Sequence, residues 1–303
     1  MAANSLIALM REFDSEEKCV AHLASIRWPN GPVCQHCGSV GRINFIKTRK
    51  VFWCGDCKKQ FSVRVGTIFE ESRLPLNKWF AAIWLATSHK KGISSVQLAK
   101  DIDVTQKTAW HMLSRMREAM KGMGEGGSLF GVVEIDETYH GGKEKNKHAH
   151  KRLKAGRGAV GKAPVLGMLE RGGMARAFKV QTVDGAMIDV MVRQHVVRGS
   201  HLMTDEHAAY RVLDNDYVRQ AVSHGRGEYV RGTAHTNTIE GFWSIFKRGV
   251  MGIYHHVSDK HLQRYLDEFA ARYNTRDQRE GDRFDGFLAA SIGRRLTYQE
   301  LIA

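Results

Sequence analysis

The chain has 303 residues, enough for two or three domains, and its 46 Lys and Arg against 32 Asp and Glu give a net charge of +14. An excess of this size indicates a polyanionic partner, foremost nucleic acid. No apolar run approaches the ~20 residues that span a bilayer, and Leu6–Met10 has no preceding positive charge, so we expect neither a membrane protein nor a signal peptide.

Residues 4–28 have apolar side chains at helical spacing, and Cys19 among them is expected to be a small buried residue. The other four cysteines form two CxxC pairs separated by sixteen residues. Each pair can form a knuckle, and four thiolates complete a closed tetrahedral site for one structural Zn²⁺. Cysteines used for metal fit a reducing cytosol rather than disulfides. We therefore predict a zinc ribbon within residues 1–72, with these ligands: Cys34, Cys37, Cys54 and Cys57.

The apolar spacing within residues 73–121 is typical of a helix-turn-helix. It predicts a first helix that ends near Asp101, a turn over residues 102–105 and a recognition helix Gln106–Met120. Asp103 occupies the turn position where Gly is commonest. A plain three-helix bundle is the alternative. The polar residues expected to face the major groove are Gln106, Lys107, Thr108, His111 and Arg115.

A glycine-rich linker at residues 122–127 marks a domain boundary, and a short strand follows from Gly131. Asp136 and Glu137 lie where this strand ends, and a carboxylate held there can face a metal ion. A surface hairpin with a solvated acidic pair fits this segment alone equally well. The basic loop Lys143–Lys162 then either lies along a phosphate backbone or is simply solvated.

The next residues predict two strands, a helix and a further strand with Asp205 at its end. Residues 235–250 predict a helix with an apolar stripe, and Glu240 and Lys247 share a neighbouring face. Asn237 lies one turn before Glu240 on that face. As a feature by itself, such a face is more often a salt-bridged surface.

In order, these elements are those of a ribonuclease H-like fold, and the predicted fold class is multidomain α+β: zinc ribbon, helix-turn-helix, then an α/β ribonuclease H-like catalytic domain over residues 128–303. Three carboxylates that converge on one spot cannot all stay ionised without cations. Two Mg²⁺ or Mn²⁺ ions about 3.5–4 Å apart would neutralise them and hold a phosphodiester for in-line attack.

Together these stretches resemble the DDE transposases of bacterial insertion sequences that carry an N-terminal zinc ribbon, the ISXO2-like group related to the Merlin transposases. The resemblance covers nearly the whole chain. Besides the CxxC pairs it rests on FSVRVGTIFE, VEIDETYHGGK, LMTDEHAAY, HTNTIEGFWSIFKRG and YHHVSDKHLQRYLDEFAARYN.

The resemblance implies that Asp136 and Asp205 are the core metal ligands and that Glu240 completes the site and helps to orient the attacking water. Lys247, seven positions after Glu240, would contact DNA near the scissile phosphate. Asn237 stays a neighbouring alternative for the third position. Glu137 would point to the opposite face of the strand.

The resemblance further implies a cytoplasmic, nucleoid-associated enzyme that binds terminal inverted repeats of double-stranded DNA. It would cut at the element ends and join the exposed 3′-OH to target DNA, as a homodimer or a larger assembly. A ribonuclease H-like nuclease that cuts without joining is one alternative, and two predicted DNA-binding modules argue against it. A transcription regulator that uses the two modules is the other, and three spaced carboxylates at element ends argue against it. An inactivated transposase kept as a DNA-binding regulator would look almost the same as an active one.

Overall fold

A computed structural model describes residues 3–123, 126–142, 144–153, 159–222 and 230–303 of the protein. The fold divides into two compact units, of which one spans Met1–Met123 with Thr275–Ala303 and the other spans Gly124–Asn274. Within the described ranges, no helix has the length and the apolar character needed to cross a membrane.

The first unit opens with two helices, a small antiparallel sheet and three further helices. Their bounds are α1 (Leu6–Glu12), α2 (Glu16–Arg27), β1 (Ile43–Ile46), β2 (Val51–Cys54), β3 (Gln60–Phe61), α3 (Leu76–Ser88), α4 (Ser95–Asp101) and α5 (Gln106–Met123). The apolar stripe of α3 forms much of the core, since Trp79, Phe80 and Ile83 are at most 1% exposed. Cys19 is fully buried, as the sequence predicts.

Helices α4 and α5 have almost the bounds that the sequence predicts. Ser94 caps α4, because its side chain accepts the N–H of Gln97 at 3.1 Å. Asp103 adopts φ 51 in the turn between the helices, a left-handed conformation that explains why Gly is commonest there. The helix pair is in place, and its part in DNA recognition stays a prediction.

The second unit alternates strands with helices. Its elements are β4 (Val132–His140), β5 (Ala163–Glu170), β6 (Ala175–Lys179), α6 (Gly185–His195), β7 (His201–Asp205), β8 (Val218–Val222), α7 (Asn237–Gly249) and α8 (Leu262–Asn274). Asp184 caps α6 by accepting the N–H of Met187 at 2.9 Å. A π-helical turn, Val250–Tyr254, follows α7 directly.

Among the described residues of this unit, the strands form one five-stranded sheet in the order β6-β5-β4-β7-β8. β4 is therefore the central strand. β5 runs antiparallel to β4 and β6, whereas β7 runs parallel to β4 and β8. Val133 and Ile135 of β4 face α6 in one core. Because side chains alternate along a strand, Glu134 and Asp136 face the other side, which α7 and α8 cover.

Gly167 of β5 lets α7 lie close to the sheet. It pairs with Asp136 on the neighbouring strand. A Cβ atom at Gly167 would come within 2.3 Å of Cζ2 of Trp243 on α7, far inside van der Waals contact. Only glycine fits there without moving the helix, and this close approach brings α7 beside the strand that carries Asp136.

The C-terminal residues of the chain belong to the first unit. They form α9 (Glu280–Ala290) and α10 (Tyr298–Ile302). The Phe284 ring lies 5.1 Å from the Phe80 ring, so α9 completes the aromatic core of that unit. The predicted catalytic domain of residues 128–303 therefore extends further than the compact unit does, and the predicted regions 1–72 and 73–121 share one unit.

Candidate active site

The four paired cysteines lie together at the small sheet of the first unit. Their sulfur atoms are all within 4.8 Å of one another, with 3.6 Å from Cys34 Sγ to Cys57 Sγ and 3.7 Å from Cys37 Sγ to Cys54 Sγ. Tetrahedral Zn²⁺ with Zn–S bonds of ~2.3 Å sets its ligand sulfurs about 3.8 Å apart. The donor set therefore fits one structural Zn²⁺, and its four members are the cysteines that the sequence predicts as ribbon ligands.

Asp136 and Asp205 lie on neighbouring parallel strands of the second unit. The register of β4 and β7 sets Glu134 opposite Met203. The paired residues end there, and Asp136 and Asp205 follow two residues further along their strands, close enough for the charge of Asp205 to act on Asp136. Adjacent strands are ~4.8 Å apart, so the topology brings two of the predicted carboxylates to one edge of the site.

The electrostatics of Asp136 show that the three predicted carboxylates share one region. The pKa of Asp136 is raised to about 7, first by burial and then by the negative charges of Glu137, Asp205 and Glu240. Charges shift a pKa in this way only at short range. The region therefore favours either a proton on Asp136 or a bound cation.

The carboxylates are less tightly gathered than the cysteines. Among the described residues, the cysteine group is the one set of ligating side chains whose donor atoms meet at metal-binding spacing. The carboxylate set consists of hard oxygen donors, which suit Mg²⁺ or Mn²⁺ rather than Zn²⁺.

Glu240 lies in the first turn of α7, and its carboxylate accepts the hydroxyl of Thr236 at 3.0 Å. Asn237, the first residue of α7, is exposed. Lys247 lies seven residues beyond Glu240 and is also exposed. Two turns of the same helix therefore present a carboxylate and a cation, as the sequence predicts.

Glu134 is a residue of this site that sequence reasoning missed. It is fully buried, and its carboxylate accepts the backbone N–H groups of Thr238 and Ile239, each at 2.9 Å, and the Thr238 hydroxyl at 2.9 Å. These groups belong to the first turn of α7, whose N–H groups have no partner within the helix. The signal available beforehand was an acidic residue between the buried apolar residues Val133 and Ile135.

Arg171 pairs with Glu134 and also binds the chain that leads into α7. Its Nε donates to Glu134 at 2.6 Å, and its two terminal nitrogens donate to the carbonyls of Thr233 and His235, each at 2.8 Å. The ion pair between the buried Glu134 of β4 and Arg171, which directly follows β5, therefore fixes both the start of α7 and the segment before it.

Glu137 points to the opposite face of β4, as the alternation of a strand predicts. Its carboxylate accepts the hydroxyl of Tyr210 at 2.6 Å. Tyr210 is fully buried in the core beneath α6. Burial, and then the charge of Glu137, raise the pKa of Tyr210 well above its usual value. Through this hydrogen bond Glu137 ties β4 to the core on the face opposite Asp136.

Two of the residues predicted to face the major groove lie inside the first unit. Arg115 is 6% exposed, and its guanidinium donates to the carbonyls of Ile68, Glu70 and Leu296. The prediction that Arg115 contacts DNA is therefore wrong. His111 is half-buried, its ring packs 5.8 Å from that of Tyr298, and burial lowers its pKa.

The start of α5 remains accessible. Gln106 and Lys107 are exposed, and Gln106 Nε2 donates to Ser95 Oγ at 2.8 Å. Thr108 is half-buried and shares a 2.8 Å hydrogen bond with the Thr105 hydroxyl. Lys143, the remaining predicted DNA contact, lies outside the described residues.

Comparison with known families gives a match for each half of the chain. Residues 14–60 match a transposase zinc-ribbon domain, and residues 128–274 match the ISXO2-like transposase domain. A protein of Halobacterium salinarum, described as an uncharacterized protein in transposable element ISH50, is 33% identical over 276 residues. The match covers 87% of this chain and 92% of that protein.

Solved structures give a weaker likeness. The Mos1 transposase paired-end complex with left transposon end is 12% identical, with a TM-score of 0.27 over 70% of this chain and 74% of that one. A pre-cleavage Mos1 transpososome is 14% identical, with a TM-score of 0.26 over 67% and 75%. Likeness at this level supports no conclusion about fold or activity.

Proposed function

Because the chain belongs to the ISXO2-like family of insertion-sequence DDE transposases, we propose that Asp136, Asp205 and Glu240 form its catalytic metal site. The observation that supports this proposal is the parallel pairing of β4 and β7, because continuing its register by two residues would put Asp136 opposite Asp205 on the face that α7 covers. The first turn of α7 then adds Glu240.

The sheet supports a ribonuclease H-like assignment for this unit. Its first three strands form an antiparallel meander, and the fourth and fifth add in parallel on the other side of the first. This is the element order on which the fold was predicted. Such a sheet holds Asp136 on a rigid central strand, where a carboxylate keeps its position during a reaction.

The chemistry follows from the donor set. Two Mg²⁺ or Mn²⁺ ions bound there would activate the attacking oxygen and stabilise the leaving one. Asp136 and Asp205 would hold this site from two strands, and Glu240 would orient the attacking water. Lys247 would bind the DNA backbone beside the scissile phosphate. Hydrolysis at an element end exposes a 3′-OH, which then attacks a phosphodiester of the target at the same carboxylates.

The first unit would supply recognition of the ends. The zinc ribbon and the α4–α5 pair would bind the terminal inverted repeats, with Gln106 and Lys107 as accessible contacts. Because two ends must be joined, the working form would be a homodimer or larger on DNA. Its substrate would place the enzyme at the nucleoid in the cytoplasm.

A strand-transfer assay tests the proposal. Zinc-loaded protein is mixed with Mg²⁺ and labelled DNA that carries the inverted repeats flanking its gene, beside Asp136→Asn, Glu240→Gln and Asn237→Ala variants. We expect joined products from the wild type and from Asn237→Ala, and none from the other two. Cleavage without joining would indicate a nuclease, and binding with neither activity a DNA-binding regulator. Joining by Glu240→Gln but not by Asn237→Ala would move the third position to Asn237.

A further inference from the structure

A groove of about 860 Å³ opens in the second unit between the end of β4 and the C-terminal half of α7. Its floor includes Thr138, Phe246, Val250 and Val257, which are all buried. Thr138 lies two residues after Asp136 on the same face of β4. The groove therefore continues the surface on which the proposed catalytic carboxylates lie.

Basic side chains line the rim of this groove. Lys145, Lys247, His255 and His256 border it, and each is exposed. Among the described residues that line the groove, none is acidic. A cavity with this charge favours an anionic ligand, and its apolar floor favours one that also has uncharged surface.

The two histidines are held by an unusual turn of the backbone. His255 directly follows the π-helical turn, and its φ of 59 and ψ of −45 are unfavourable for a residue with a Cβ atom. The ring Nδ1 of His255 shares a 3.2 Å hydrogen bond with the carbonyl of Met251. Such turns are frequent at functional sites, where the strain is maintained by the surrounding contacts.

The dimensions match a nucleic acid strand. Lys247 lies two helical turns, about 10 Å, beyond Glu240 along α7. One strand of DNA carries a charge every ~3.4 Å of helix axis, so this distance spans about three phosphates. Grooves that bind single strands combine basic side chains for the backbone with apolar or aromatic surface for bases and sugars.

We propose that this groove binds the phosphodiester backbone of one DNA strand where that strand leaves the carboxylates, with Lys145, His255 and His256 extending the contact made by Lys247. The proposal rests on the proposed function, because it takes Asp136 and Glu240 as the point from which the strand departs. The strand belongs either to the element end or to the target, and the two sources predict different defects.

The test uses Lys145→Ala/His255→Asn, because Lys145 supplies a full positive charge at the rim and Asn tolerates the left-handed backbone of position 255 while it lacks the imidazole. The control is Arg198→Ala/His201→Ala, which removes two exposed residues of the same unit outside the groove. Binding of a pre-cleaved element end, alone and with target DNA, is measured against salt concentration. Removing one protein–phosphate interaction lowers the slope of log affinity against log salt by about 0.7–0.9, so we expect a slope smaller by about 1, with the control unchanged.

Two activity measurements identify the strand. If the groove holds the element's strand, both hydrolysis at the end and joining decrease. If it holds the target strand, joining of pre-cleaved ends decreases while hydrolysis keeps its wild-type rate. The proposal would be overturned if the groove variant had the wild-type salt slope and kept both hydrolysis and joining at the wild-type rate. A wild type that binds but neither cuts nor joins would refute the proposed function instead, and the salt slope would still decide whether the groove binds DNA.

Discussion

The carboxylate of Glu134 accepts the backbone N–H of Ile239 at 2.9 Å, and this contact joins the strand that carries Asp136 to the helix that carries Glu240. Glu134 lies two residues before Asp136 on the same face of β4, and Ile239 directly precedes Glu240. The position of the third carboxylate relative to the first therefore depends on this buried side chain together with the close packing of α7 at Gly167. Glu134 is a positioning residue in this arrangement.

Replacing Glu134 by Gln should weaken both the fold and the metal site. The amide brings N–H groups against the donors of Thr238 and Ile239, and Arg171 loses its buried counter-charge. Breaking a buried pair in this way costs about 3–5 kcal/mol of stability. We also expect a higher Mg²⁺ concentration for half-maximal strand transfer, because Glu240 is no longer held in place. Chemical denaturation and a Mg²⁺ titration measure the two effects.

The control for that variant is Glu268→Gln. Glu268 is also buried and pairs with Arg272 in the same unit, on α8. The Glu268→Gln variant should be less stable, but the Mg²⁺ concentration that it needs for half-maximal strand transfer should not change. An equal rise in the Mg²⁺ requirement of both variants would show that Glu134 acts through general stability alone.

The raised pKa of Asp136 predicts a pH-dependent stability. Its pKa of about 7 in the fold lies above the value of about 3.9 in an unfolded chain. The folded state therefore binds more protons between these values, and the free energy of unfolding falls as pH rises from about 4 to about 7. Three pKa units correspond to at most about 4 kcal/mol. Asp136→Asn should remove this dependence.

Native-state hydrogen exchange of the β4 amides measures this stability in zinc-loaded protein without added Mg²⁺, over about pH 5.5–8, a range that spans the upper part of this titration. The difference between wild type and Asp136→Asn isolates the carboxylate from groups that titrate elsewhere. Adding Mg²⁺ at the alkaline end of the range should restore the stability of the wild type and leave the variant unchanged. Parallel pH profiles for the two proteins would contradict the carboxylate cluster.

The ribbon predicts one tightly bound zinc ion per chain. Structural Zn²⁺ in such modules contributes ~10–16 kcal/mol to folding. Cys54→Ala should lose the metal and unfold the ribbon, because three thiolates leave the tetrahedral site open. Cys19→Ala is the matched control, since Cys19 is buried and lies outside the cysteine cluster. Zinc analysis of the purified proteins distinguishes them, and a full zinc content in Cys54→Ala would contradict the ligand set.

Sequence reasoning succeeded where the signal is local. Cysteine spacing identifies the ribbon, and the position of Asp205 at a strand end follows from apolar patterning alone. Sequence reasoning missed Glu134 because the partners of that carboxylate lie about a hundred residues away, at the start of α7. It also misplaced Arg115, because the carbonyl of Leu296 that binds it comes from the C-terminal segment, and no periodicity within α5 reveals that hydrogen bond.

The burial of Arg115 separates two kinds of basic residue on α5. Lys107→Ala removes an exposed charge near the helix start, so it should weaken binding to an inverted repeat and reduce the salt slope by about 1 while the fold stays intact. Arg115→Ala removes the donor to two buried carbonyls and one partly buried carbonyl, and it should destabilise the first unit by several kcal/mol. The loss of DNA binding by Arg115→Ala should then match the fraction of that variant that is unfolded.

Salt-dependent binding and thermal unfolding of both variants measure this difference. Lys121→Ala, which removes an exposed lysine at the other end of α5, is the control for a general loss of charge. If Arg115→Ala stayed folded and bound DNA more weakly with a smaller salt slope, the guanidinium would be a DNA contact after all. If Lys107→Ala and Lys121→Ala bound alike, the start of α5 would have no special part in recognition, and the ribbon would remain the candidate for reading the ends.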